Sequence, residues 1–114
     1  MGLVNIENKA INSLKLASPI FTPNGDEVND VLQIEYELLN IFGMVPVALN
    51  LYDLSGRLVG AVHRGVAASG RFAMEWDGAL ANGKMPVPGL YLLRLEVDSD
   101  RGEETFERVV SLAY

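Results

Sequence analysis

The sequence predicts an all-β fold, a two-sheet β-sandwich of about seven short antiparallel strands. Three observations carry this. Apolar and polar residues alternate in several short stretches, most cleanly where Leu32, Ile34, Tyr36 and Leu38 oppose Gln33, Glu35 and Glu37. Clusters of Gly, Pro, Asn and Asp separate those stretches. No segment longer than one turn repeats apolar residues at helical spacing.

Composition bounds the rest. A chain of 114 residues is the size of one domain, and 49 % hydrophobic content supplies a core. A formal charge of −6 repels phosphate backbones and anionic lipid, which argues against nucleic-acid partners. No apolar run reaches the ~18–20 residues of a membrane span, so no membrane insertion is expected. Cysteine is absent, so neither a disulfide nor a thiol enters the argument. Met1-Gly2 reads as a start added to an excised piece, which would place any export signal upstream.

Residues 1–13 read as a linker or edge segment, and residues 14–114 as the sandwich domain. Leu14, Leu16 and Ser18 against Lys15 and Ala17 predict the first strand. Pro19 to Asp30 is dense in turn formers and reads as a loop. Val31 to Leu39 is the second strand, with its charged face towards water. After a turn at Asn40–Pro46, Val47 to Val62 reads as a β-hairpin: Val47, Leu49 and Leu51 share one face, and Asp53-Leu54-Ser55-Gly56 turns the chain. His63 to Gly70 reads as a polar connection. Phe72, Met74 and Trp76 then mark a strand, and Ala79 to Pro88 a loop with an Asn82-Gly83 turn. Gly89–Asp98 and Glu103–Tyr114 are the last two strands, joined by a turn at Ser99–Gly102.

Little in this pattern carries chemistry. His63 is the only histidine, and no G-x-S-x-G elbow surrounds a serine, so the chain is not expected to be an enzyme. Glu35, Glu37, Glu75 and Glu96 fall on outward positions, where charge means a solvated face. The loop residues Asn24, Asp26, Asn29 and Asp30 offer hard oxygen ligands within seven residues, a candidate calcium site. The competing reading is that they cap loop N–H groups as Asx turns, with no cofactor. Trp76 and Tyr91 alternate into the core. Tyr52 lies opposite the Val47-Leu49-Leu51 face and is the one aromatic candidate for a binding platform. A small-molecule ligand is not expected.

Three local patterns carry a resemblance. Ser18-Pro19-Ile20-Phe21-Thr22-Pro23-Asn24-Gly25-Asp26 with Asn29-Asp30 resembles the FTPNGDG-x-ND opening of bacterial gliding-motility-associated C-terminal domains, with Glu27 at the usual second glycine. Leu51-Tyr52-Asp53 through Gly56-Arg57 to Val59 resembles the IYD-x-x-G-R-x-V hairpin of type IX secretion sorting domains. The same hairpin occurs in the immunoglobulin-like domain of the flagellar hook-capping protein. Trp76-Asp77-Gly78, Asn82-Gly83 and Pro88-Gly89-Leu90-Tyr91 are similar to the W-D-G…P-x-G-x-Y segment of that flagellar domain. The resemblance spans residues 18–112. It implies an immunoglobulin-like sandwich at the C-terminal end of a bacterial protein that is secreted or held at the cell surface. There it would act in sorting or surface attachment, with a protein partner in the secretion machinery or at the cell surface. The last two strands, Leu90 to Tyr114, would be the surface read. The chain departs from typical sorting domains at its end, where ETFERVVSLAY holds Arg108 as its one basic residue. Two other readings are a carbohydrate- or protein-binding accessory module and a spacer or cap whose final-strand edge pairs between copies.

Overall fold

Alternation turns into pairing in the computed structural model, which describes residues 10–17, 20–22, 31–99 and 102–113. Among these residues eight strands follow in order: β1 (Ile11–Leu16), β2 (Ile20–Phe21), β3 (Leu32–Leu38), β4 (Val45–Asp53), β5 (Leu58–Ala67), β6 (Gly70–Trp76), β7 (Gly89–Ser99) and β8 (Gly102–Leu112). They form a three-stranded sheet in the order β1-β3-β6 and a five-stranded sheet in the order β2-β8-β7-β4-β5. All neighbours are antiparallel except β2, which runs parallel to the end of β8. The fold is the all-β sandwich that the sequence predicts, and no helix occurs among the described residues.

The core lies where the alternating faces meet. Leu14, Ile34 and Leu38 of the smaller sheet and Leu49, Leu51, Leu93, Leu95 and Val97 of the larger are fully buried in one cluster. Each such side chain contributes about 1.5–3 kcal/mol of transfer free energy. Glu104 ties the sheets together, its carboxylate accepting from the backbone N–H groups of Ala10 and Ile11 at 2.8 and 3.2 Å.

Three element boundaries differ from the sequence reading, each for a physical reason. β1 opens at Ile11, ahead of the Leu14 start. A register shift between Ile11 and Ser13 lets Ile11 and Leu14 both face inward, a spacing of three that alternation does not show. β5 runs on to Ala67 through His63-Arg64-Gly65-Val66, which the sequence reads as a connection. Those four residues are all exposed on an edge strand, so no alternation marks them. Ile20 and Phe21 sit in the expected loop yet pair with Ser111 and Leu112. Most of the expected linker lies outside the described residues.

The turns follow their side chains. Asp53 Oδ1 accepts from the N–H groups of Ser55 and Arg57 at 3.0 and 2.9 Å, and Gly56 takes φ +92°. The connection after β6 is pinned in its first half. Trp76 Nε1–H donates to the Ala79 carbonyl at 2.7 Å, and the Ala81 N–H donates to the Ala61 carbonyl of β5 at 2.8 Å.

Candidate recognition surface

The last two strands form a hairpin paired without a register shift from Gly89↔Leu112 to Ser99↔Gly102. β7 lies inside the larger sheet between β4 and β8. β8 is covered by β7 along its length and meets β2 only at Ser111 and Leu112. Between those ends, among the described residues, the outer edge of β8 carries no paired strand.

Alternation sends Leu90, Leu92, Arg94, Glu96 and Asp98 of β7 to the outer face, beside Glu103, Thr105, Glu107, Val109 and Ser111 of β8. Arg94 reaches Glu107 Oε2 through Nε at 2.7 Å and through Nη2 at 2.5 Å. That hydrogen-bonded carboxylate holds the Arg94 guanidinium above its ordinary pKa. The same guanidinium lies 4.1 Å from the centre of the Tyr52 ring. Tyr52 donates its hydroxyl to Glu96 at 2.6 Å, and Asn50 Nδ2 donates to the same oxygen at 2.9 Å. The bond to Glu96, then burial, raises the Tyr52 phenol above its usual value.

Tyr52 pairs with Leu92 while Glu96 pairs with Ala48, so the ring extends along β4 past Asn50. Asn50 is thereby buried at an outward position, and its Oδ1 accepts no hydrogen bond among the described residues. Tyr52, the candidate platform, is thus half-buried, with its hydroxyl engaged and Arg94 over its ring. The sequence places Asn50, Tyr52, Arg94 and Glu96 outward. Cross-strand register, which brings them together, has no local signal.

Beside this network runs an apolar strip. Leu58, Tyr52, Leu92 and Val109 pair in one row across β5, β4, β7 and β8. Leu58, Leu90 and Val109 are about half exposed, at 47 %, 51 % and 52 %. The strip is a hydrophobic contact area on a face that is otherwise acidic.

The other sequence candidates fall apart in space. Asn24, Asp26, Asn29 and Asp30 lie outside the described residues. Among the described residues, no group of three or more His, Asp and Glu side chains is placed to hold a metal ion. His63 is exposed on β5. Glu35 and Glu75 are exposed, while Glu37 and Glu96 are half-buried in hydrogen bonds. Trp76 and Tyr91 are buried, and the Tyr91 hydroxyl donates to the Val87 carbonyl.

The family model of the type IX secretion signal domain, CHU_C, matches residues 14–112. The chain belongs to that family. A type IX secretion signal domain is a sorting module of exported proteins, so export and engagement of secretion machinery in general follow from membership. Among curated proteins, none matches. Of solved structures, dimeric latent PorU from Porphyromonas gingivalis aligns at TM-score 0.65 and 19 % identity, over 88 % of this chain and 9 % of that one. A beta-glucosidase from Listeria innocua aligns at TM-score 0.51 and 19 % identity, over 90 % of this chain and 16 % of that one. At such identity the two share the fold with this type IX signal domain, which spans a small part of either chain. No helix among the described residues is long and apolar enough to cross a membrane.

Proposed function

We propose that this domain is a non-catalytic C-terminal module that directs its parent protein through type IX export to the cell surface or medium. On this reading the secretion machinery recognises the β7–β8 hairpin. The observation that carries it is the family match over residues 14–112, nearly the whole described sandwich. The hairpin supports it structurally, offering an unpaired edge of β8 next to the strip of Leu90, Leu92 and Val109. Half-exposed aliphatic side chains at the end of a charged face suit recognition by a protein surface. A carbohydrate platform is less well supported, because Arg94 and Glu96 already occupy the Tyr52 ring and hydroxyl.

The test uses a reporter protein carrying this domain at its C-terminus in a bacterium with a type IX system. Leu90→Lys with Val109→Lys changes only half-exposed outer positions, so the domain is expected to stay folded, as circular dichroism would verify. Export of the wild-type fusion together with retention of the folded variant supports recognition at the hairpin. Equal export of both would move the recognition surface elsewhere.

A further inference from the structure

The smaller sheet ends on β6, whose pairing is regular along its length. Among the described residues β6 pairs with β3 alone, from Leu32↔Trp76 to Leu38↔Gly70, without a register shift. It holds no proline and no bulge, the usual devices that blunt an edge against further pairing. The opposite edge of this sheet, β1, is bulged at Asn12, and β5 at the edge of the larger sheet carries two register shifts.

The space beside β6 has a floor. His63 and Gly65 of β5 pair with Leu49 and Val47, whose side chains enter the core, so both belong to the inner face. Yet both are exposed. Their exposure leaves this part of the inner face uncovered among the described residues. Gly65 adds no side chain, and the His63 ring leans over it, within 3.6 Å of where a Cβ would stand. On the side towards β6, Phe72 and Met74 pack against the core while remaining half-exposed. The slot is therefore bounded by a free strand edge, two half-covered apolar side chains and an open floor.

We propose that the edge of β6 is a docking site for an extended segment of a partner polypeptide, which adds antiparallel as a fourth strand of the smaller sheet. Main-chain hydrogen bonds would supply affinity, and alternate side chains would set specificity. The outer face of β6 presents Arg71, Ala73 and Glu75. Arg71 is bound on one side to Glu37 at 3.1 Å but keeps 86 % of its side chain exposed, and Glu75 accepts from Gln33 while staying exposed. An incoming strand with an acid opposite Arg71 and a base opposite Glu75 completes both rows, since opposite charges across a pair stabilise and like charges oppose. The residues between them should be apolar, to cover Phe72 and Met74. Read from its N-terminus, the ligand is thus base, apolar, small, apolar, acid. A second whole domain is a poor fit, because its own β5 would compete for the floor that this β5 already occupies.

The Arg71-Phe72-Ala73-Met74-Glu75 run itself has that pattern, so a labelled peptide with the sequence of residues 69–77 is a ready probe. Fluorescence anisotropy against the full chain is expected to show saturable binding, with slowed amide exchange at residues 71–75. Arg71→Glu is expected to weaken binding about fivefold, and a peptide with lysine in place of its glutamate should restore it to that variant. Binding that ignores these charge swaps, protection along β8 in place of β6, or no saturation at millimolar peptide would overturn the proposal. So would self-association of the chain through β6 in analytical ultracentrifugation.

Discussion

Glu104 shows how much one side chain carries in a small sandwich. It points inward from the last strand and satisfies two N–H groups where β1 begins, 94 and 93 positions away in the chain. Glu104→Ala leaves those part-buried donors without their acceptor and is expected to cost about 1–3 kcal/mol. Urea unfolding reads that loss, and an unchanged midpoint would contradict the role assigned to it. Glu37 adds a pH dependence. Its hydrogen bond from Arg71, then that from Asn12 at 2.6 Å, holds the carboxyl below the usual glutamate range. A folded pKa below the unfolded one contributes stability above the ordinary value of about 4.3, and that contribution is lost as pH falls through the folded value. The gap in urea midpoint between wild type and Glu37→Gln should therefore be widest near neutral pH and close in acid. A gap that stays constant with pH would contradict the assignment. Trp76 and Tyr91 were legible in the sequence as core residues, because their neighbours alternate. The partners of Tyr52 were not, because Arg94 and Glu96 lie more than forty positions away in the chain and meet it only through β4–β7 register.

At the scale of the element, the hairpin turns and the long strands were readable, and the bulged strands were not. β3 and β7 alternate without interruption and carry the expected faces. β1 and β5 lose their period where an extra residue enters the pairing. β5 also shows why a glycine sits inside a strand. A Cβ on Gly60 would stand 2.8 Å from Leu80 Cδ1 and 3.3 Å from Leu80 Cβ, so the buried Leu80 needs that space to seat the 77–88 loop on the sheet. Gly60→Val is expected to destabilise by about 1–3 kcal/mol through overpacking. The same variant should speed amide exchange at Ala81, whose N–H donates to Ala61. A variant of wild-type stability would mean that the loop does not depend on this contact.

For the whole molecule, local pattern defines the class and long-range pairing defines the architecture. Strands separated by turns announce a sandwich. The division into β1-β3-β6 and β2-β8-β7-β4-β5 joins segments far apart in the chain, and no local spacing encodes it. Function was legible only through the order of motifs from Ser18 to Tyr91. The most direct measurement is the destination of a reporter protein, given an inner-membrane export leader and expressed with and without this domain in a type IX-competent bacterium. A sorting role predicts the reporter on the cell surface or in the medium only when the domain is attached. A reporter that stays inside the cell in both cases, with the domain intact and folded, would contradict it.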